Sequence, residues 1–309
     1  MNNNTVVSAC DHNYIWGAWL LVASMRVHKM DDKALILGGG LTDHDVELLK
    51  QFDNTEVHHM EEGNSRSMTC QKPEAMLLAD TENITWADCD AVFTGNVSDY
   101  MKAEPEEIRI RIRDKAENAM VYSSRYEESD AYGSIPKKVL DIWQQNVGEN
   151  NTPAIETVSS AAAMTFHRDK KFIIKKWREQ MLKVIPNKDE GVVDQSNFAY
   201  FQTDESVLNS VLCFAEGAPR PVEFLLDKDP DAFFAHYTFK PKPWQQWDRY
   251  SLRYYEPTLY VVEQAIKEGY QTPPEIPYTF KRKYKAFCAA QAYAKDYTRR
   301  IAKAILGKK

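Results

Sequence analysis

The chain has 309 residues, 43% of them hydrophobic, enough to bury a full core as one large domain or two smaller ones. Its formal charge of −6 is unevenly spread: residues 281–309 carry ten Lys/Arg and one Asp, a balance of +9, which leaves −15 on the preceding 280. An acidic body argues against nucleic acid as a partner of the main domain, because backbone binding needs a positive face.

In chain order, Thr5–Ala9 reads as a short strand and Trp16–Val27 as a helix, with Trp16, Leu20, Ala23 and Val27 at helical spacing. The apolar stretch Ile15–Met25 is too short to span a bilayer and reads as a core helix, not a signal peptide. Ala34–Leu37 is a second strand closed by Gly38-Gly39-Gly40, which lacks both the Gly-x-Gly-x-x-Gly spacing and a P-loop Lys and so reads as a turn. Thr42 caps a helix running to Phe52, and Glu56–His59 is a third strand. This alternation of strand and helix predicts a parallel sheet. A polar stretch then leads into Gln71–Leu78, which carries Lys72.

The centre of the chain is the apolar run from Ile84, which ends abruptly in Asp88-Cys89-Asp90. It reads as a buried strand delivering two acids to its C-terminal edge, where open α/β sheets bind ligands. Side chains at i and i+2 of an extended segment point the same way, so both acids can reach one Mg²⁺ or Mn²⁺. An ordinary acidic turn is the plainer alternative.

Beyond it, Val97–Met101 starts a helix, Lys102–Lys115 suits a half-exposed strand, and Ala119–Tyr122 is apolar enough for another. Ser134-Ile135-Pro136 opens a helix to about Trp143, with Ser134 as its cap. The loop-like Gly148–Pro153 suggests a boundary between two halves of the body, 1–150 and 151–270. Ser159–Met164 is a run of small side chains, Asp169–Leu182 an amphipathic helix, and Lys183–Thr203 an irregular region that includes Asp194-Gln195-Ser196-Asn197. Asp204 and Glu205 open an apolar helix, where a carboxylate can cap the helix and also face a cleft. His236 follows an apolar strand end, where a neutral imidazole could be a third metal ligand, and Lys242 stands six residues on, held by prolines. Trp247 and Tyr250 are available to stack on a ligand ring or to pack a rim. Pro257–Gly269 reads as a helix ended by its glycine, and Gln271–Pro277 as a proline-rich linker.

With the Asp-x-Asp, the Asp204-Glu205-Ser206-Val207-Leu208-Asn209 run and His236-x5-Lys242-Pro243-Trp244 in hand, the chain resembles the nucleotide-sugar glycosyltransferases of the glycogenin and lipopolysaccharide galactosyltransferase family. The resemblance spans roughly Thr5 to Trp244 and implies a GT-A fold, a Rossmann-like mixed sheet flanked by helices, with 1–150 as its nucleotide-binding half and 151–270 as its acceptor half. It implies a metal triad of Asp88, Asp90 and His236 holding Mn²⁺ or Mg²⁺, with Lys242 on the phosphates. Ala9-Cys10-Asp11-His12-Asn13-Tyr14 looks like the family's segment that contacts the nucleoside, which places Ala9, Asp11, Asn13 and Tyr14 at the sugar donor, a UDP-sugar. Lys72 falls where related transferases carry a basic residue near that donor, and Ser159–Met164 where they line the donor sugar. The Asp-Glu pair departs from the family's Asp-Gln and is closer to the blood-group and α-1,3-galactosyl transferases, whose Glu lies beneath the anomeric carbon. That makes Glu205, with Asp204, the catalytic candidate, preferred over Asp194 because Leu208-Asn209 completes the pattern there. Phe239 stands where the family has a glycine, which leaves the shape of the phosphate loop open.

The implied activity is metal-dependent, retaining transfer of a sugar to a glycan or glycolipid acceptor, as in bacterial-type surface polysaccharide or lipopolysaccharide synthesis. Two alternatives stand beside it. Asp88-Cys89-Asp90-Ala91-Val92 also resembles the nucleophile motif of haloacid-dehalogenase-like phosphatases, but three strand-like segments precede it. A catalytically silent sugar-binding protein on the same scaffold is the other. The five cysteines, Cys10, Cys70, Cys89, Cys213 and Cys288, are odd in number and form no Cys-x-x-Cys pair, as expected of reduced thiols in a cytosolic compartment. The tail, 281–309, projects Phe287, Ala294, Ile301 and Ile305 on one side, flanked by Tyr284 and Tyr297, and Lys285, Lys295, Arg299, Arg300 and Lys303 on the other. That is the pattern of a helix lying on an anionic membrane surface, and it predicts a peripheral protein on the inner face of a membrane. Docking of this helix on the chain's own acidic body is the alternative.

Overall fold

The computed structural model describes residues 3–61, 67–123, 134–185, 199–224 and 233–306. The first strand, β1 (Asn4–Asp11), is buried along almost its whole length, as its continuous apolar run demands. Its alternate side chains serve different layers: Val6 joins the core on one face of the sheet, Val7 and Ala9 the core on the other. Helix α1 (Ile15–Val27) follows, with every residue but Arg26 buried. A helix apolar all round must be covered all round, and this one lies between the sheet and a later helix. β2 (Lys33–Gly39), α2 (Asp43–Lys50) and β3 (Thr55–His59) come next. Thr42 caps α2 as expected, in a reciprocal capping box with Asp45.

α3 (Lys72–Leu78) leads to β4 (Asn83–Ala87) and then to a short strand, β5 (Ala91–Phe93). The expected helix at Val97–Met101 is only a turn, in which Tyr100 and Met101 donate back to the Val97 carbonyl before the chain reaches Pro105. β6 (Glu107–Ile112) is the half-exposed strand. Ala119–Tyr122, expected as a strand, lies instead in α4 (Lys115–Ser123). The overlooked signal is Asp114-x-x-Glu117: Asp114 Oδ1 accepts the Glu117 N–H at 2.8 Å and Glu117 Oε2 the Asp114 N–H, a capping arrangement that starts a helix. α5 (Lys137–Val147) begins after Pro136 with no side-chain cap, so Ser134 does not cap it, and it ends at Gly148 with φ of 80°. β7 (Ser159–His167), α6 (Lys171–Val184), α7 (Thr203–Phe214), β8 (Arg220–Val222), β9 (Phe234–His236), α8 (Tyr255–Lys267) and α9 (Lys285–Leu306) complete the chain.

Among the described residues the main sheet runs β3-β2-β1-β4-β7-β6-β8. β1 to β4 are mutually parallel, β7 is antiparallel to β4 and β6, and β8 is parallel to β6. From β1 the chain builds outward through β2 and β3, then returns to place β4 on the other side. The C-terminal ends of β1 and β4 therefore flank a topological switch point, where open α/β sheets form a crevice. β5 and β9 pair antiparallel as a separate ribbon beside it. Two cores cover the sheet, one with α1 and α8, the other with α3, α5, α6 and α7.

The C-terminal segment begins packed on the body. Phe280 is buried against Trp16 and Trp247, and Cys288 and Ala292 on α9 are 1% exposed. Arg282 pairs with Glu256 and Glu263, Lys285 with Glu256, and Arg249 with Asp296. Phe287, Tyr297, Ile301 and Ile305 stay exposed, the last at 76%. No helix among the described residues is long and apolar enough to cross a membrane.

Candidate active site

Asp88 and Asp90 follow β4 directly, and the ribbon explains how His236 reaches them. Ala91 is paired with His236 across β5 and β9, and the Tyr237 N–H donates to the Asp90 carbonyl at 2.9 Å. His236 Nε2 lies 3.1 Å from Asp90 Oδ1 and 3.6 Å from Asp88 Oδ2. One ligand atom from each of the three residues falls within 4.8 Å of the others. Cys89 stands between the acids, but burial, with Asp90 close by, pushes its thiol well above the usual range, so it stays protonated. The donor set is two carboxylates and an imidazole, which fits a hard or borderline cation such as Mg²⁺ or Mn²⁺.

Two lysines balance the acids. Lys242 Nζ sits 2.6 Å from Asp90 Oδ2 and also donates to the Tyr237 carbonyl. Lys72, 4% exposed, bridges Asp88 Oδ1 at 2.8 Å and Asp204 Oδ2 at 2.9 Å, and donates to the Ala161 carbonyl. The indole N–H of Trp86 donates to Asp88 Oδ1 at 2.8 Å. Burial alone would lower the pKa of Lys72, but Asp204 and Asp88 outweigh it and raise it above the usual lysine range. One ammonium does not fully offset three nearby acids: burial, reinforced by Asp88 and Glu205 and opposed by Lys72, leaves the Asp204 carboxyl above its ordinary value. Burial also disfavours a charged His236, yet Asp90 and Asp88 prevail and raise its pKa above 6.5. Despite its burial, Asp90 is held well below the usual carboxylate range by His236 and Lys242.

Asp204 and Glu205 lie in the first turn of α7, as expected. Thr203, immediately before them, has φ of 44°, a conformation that is strained for a β-branched residue. Glu205 accepts from Arg113 Nη2 and, at 3.2 Å, from the Ala161 N–H. Ser159–Met164 is the first part of β7, antiparallel to β4, and Ala162 accepts from the Asp88 N–H at 2.9 Å. The run of small residues thus passes between the two acid pairs.

The amino-terminal candidates end β1 at the same edge. Asp11 caps a short 3₁₀ turn by accepting from the Tyr14 N–H at 3.1 Å, Asn13 is exposed, and Tyr14 packs edge-on to Trp244. Burial, with Asp90 nearby, lifts the Tyr14 hydroxyl to about 12. Ala9 is different: its methyl group belongs to the core, 3% exposed. Trp247 is also core, fully buried with its N–H on the Thr279 carbonyl, whereas Tyr250 is exposed and packs against exposed Phe239. Asp194 lies outside the described residues. Sequence reasoning missed Arg113 and Gly17. The first had no motif around it, and the second is visible only as a close contact with Cys89 and Trp244.

No family model and no curated protein sequence matches the chain. Solved structures do. It is similar to the glycosyltransferase GlyE of Streptococcus pneumoniae (15% identity, TM-score 0.52), the match covering 88% of this chain and 65% of GlyE. The chain therefore spans about two thirds of GlyE's length. It is also similar to the galactosyltransferase LgtC solved with donor and acceptor sugar analogs (13% identity, TM-score 0.51), covering 88% of this chain and 98% of LgtC. A structure of an active-site mutant of LgtC matches at 14% identity and a TM-score of 0.50, with the same coverage of both chains. Taken with the mixed seven-stranded sheet and its switch-point crevice, these likenesses show that the chain has the GT-A glycosyltransferase fold.

Proposed function

We propose that this protein is a metal-dependent, retaining glycosyltransferase that moves a sugar from a nucleotide-sugar, a UDP-sugar, to a glycan or glycolipid acceptor in surface polysaccharide or lipopolysaccharide synthesis. The observation that carries this reading is the convergence, at the switch point of a GT-A sheet, of Asp88, Asp90 and His236 with Lys242, joined through Lys72 to Asp204 and its neighbour Glu205. The donor and acceptor analogs bound by LgtC support both substrate classes.

Asp88, Asp90 and His236 would hold Mn²⁺ or Mg²⁺, which when bound neutralises the diphosphate as a Lewis acid. Lys242 adds a cation for the phosphate oxygens, and Asp11, Asn13 and Tyr14 lie at the strand edge where a nucleoside would sit. Lys72 keeps Asp88 and Asp204 at fixed separation, so that a sugar bound beside them meets preorganised charge. Glu205 presents a carboxylate to the positive charge that develops at the anomeric carbon, and this arrangement favours retention. Phosphatase chemistry through Asp88 is not favoured, since Trp86 and Lys72 both hold its Oδ1 and the fold is that of glycosyltransferases. Nor is a silent sugar-binding role, because each expected metal and acid position carries a suitable side chain.

The tail supports a second element of the proposal. The exposed Phe287, Tyr297, Ile301 and Ile305 with Arg299 and Arg300 suit an anionic membrane surface, which would place the enzyme on the cytoplasmic face beside a lipid-linked acceptor. The decisive experiment is a thermal-shift panel of UDP-, GDP-, ADP- and CMP-sugars with and without Mn²⁺, followed by product stereochemistry by NMR. A Mn²⁺-dependent shift with one nucleotide class and retention at the anomeric carbon are expected. No shift with any sugar nucleotide, or inversion, would defeat the reading.

A further inference from the structure

Glu205 is not free in its cleft. Arg113, just after β6, donates from Nη2 to its Oε1, and the Ala161 N–H donates to its Oε2. The two side chains are 15% and 14% exposed, so solvent screens their attraction only weakly. The surrounding backbone is pinned by side-chain amides. Arg113 N–H donates to the Val158 carbonyl at 3.0 Å, and Val158 N–H donates to Asn118 Oδ1 at 3.0 Å. Asn209, one turn after Glu205 on α7, accepts from Ser159 N–H and donates to both the Ser159 and Glu205 carbonyls. The ends of β6 and β7 and the first turn of α7 are thereby locked to one another around the carboxylate.

This arrangement leaves buried groups unsatisfied. Arg113 Nε, Asn118 Nδ2 and Ser159 Oγ have no hydrogen-bond partner among the described residues. An unpaired buried donor is unfavourable, and native structures keep few of them without a reason. The guanidinium of Arg113 thus keeps Nε unpaired while Nη2 meets Glu205, the one side-chain partner recorded for it among the described residues.

We propose that Arg113 is the positioning residue of Glu205: it fixes the direction of the carboxylate and holds it as a stationary counter-charge for the sugar-transfer step. The inference rests on the glycosyl-transfer reading of the site. Arg113 acts through Glu205 and not on the metal or the nucleotide, since the bond that the structure records for its guanidinium is to that carboxylate.

The test is a double-mutant cycle of wild type, Arg113→Met, Glu205→Gln and the double variant, with Arg113→Lys alongside. Turnover is measured on the nucleotide sugar that the wild type hydrolyses fastest, and binding with UDP and Mn²⁺ by calorimetry. Arg113→Met is expected to lower kcat by at least ~10-fold, as misoriented catalytic groups do, with UDP affinity changed by less than ~2-fold. Arg113→Lys restores part of that loss and covers the case in which the methionine variant does not fold. In the double variant the second substitution adds less than ~2-fold to the effect of Glu205→Gln, because its target is gone. A fully active Arg113→Met, a loss that appears in UDP affinity alone, or losses that multiply in the double variant would each overturn the role. An inactive wild type would instead sink the glycosyl-transfer reading, and this inference with it.

Discussion

Gly17 offers the sharpest test of how the site is held. It lies in α1, and a Cβ there would stand 2.5 Å from the Cys89 carbonyl oxygen and 2.8 Å from Trp244 Cη2. Neither neighbour can move cheaply. The carbonyl is backbone between the two Asp-x-Asp carboxylates, and Trp244 closes the segment that carries His236 and Lys242. In an ordinary helix, Gly→Ala gains about 0.8–1.0 kcal/mol. Against that gain, overpacking a tight core contact costs about 1–3 kcal/mol, so Gly17→Ala should be neutral to about 2 kcal/mol destabilised. The functional effect should be larger, since the displaced group is the peptide that orients Asp88 and Asp90 and a shift of about 1 Å in a site can cost ~10²-fold. Urea unfolding and a Mn²⁺ titration of nucleotide-sugar hydrolysis measure both consequences. A variant stabilised by the full helix-propensity gain, with an unchanged Mn²⁺ requirement, would refute the close-approach reasoning.

Asp90→Asn should abolish most Mn²⁺-dependent nucleotide binding while the fold survives, and Glu205→Gln should bind nucleotide normally but turn over at least ~10²-fold more slowly; calorimetry and steady-state rates separate the two, and the opposite pattern would exchange their roles. Lys72→Met leaves buried Asp204 and half-buried Asp88 without their shared cation, at a cost of about 3 kcal/mol in urea unfolding at neutral pH; a loss below about 1 kcal/mol would mean the triad is not formed. Because the folded-state pKa of His236 is raised above 6.5, its stabilising contribution to the metal-free protein is complete below pH 6.5 and declines as pH rises through the folded value. Mn²⁺ needs the neutral imidazole, so its affinity should rise over that same interval, and a metal affinity independent of pH there would remove His236 from the ligand set. A chain ending after Asp296 should keep its Tm and stop sedimenting with anionic liposomes at low salt, whereas one ending at Pro277 loses buried Phe280 and should be destabilised by about 3 kcal/mol or more; retention of liposome binding by the chain that ends after Asp296 would refute the surface reading of 297–309.

The local signals in the sequence were strong where one segment decides its own state. β1, β2 and β4 are apolar runs closed by turns, Thr42-x-x-Asp45 is a self-contained cap, and Asp88 and Asp90 share a face because extended backbone repeats every two residues. The same logic was available, and overlooked, at Asp114-x-x-Glu117, where a capping pair outweighed the β-like run that follows. Other features depend on partners distant in sequence, and no local pattern encodes them. His236 reaches the acids through the pairing of β5 with β9, 145 residues apart at Ala91 and His236. Lys72 could have been a solvated surface lysine until α3 packed it beneath two carboxylates from β4 and α7. Trp247, open in sequence to a sugar-stacking role, became core once Phe280 and Tyr237 closed over it. Phe280, just ahead of the tail that begins at 281, is bound into the body because a basic, aromatic segment finds acidic Glu256 and Glu263 and an apolar recess together. Residue type and spacing set which chemistry each stretch could offer; burial and pairing between distant segments decided which of those groups meet in one crevice.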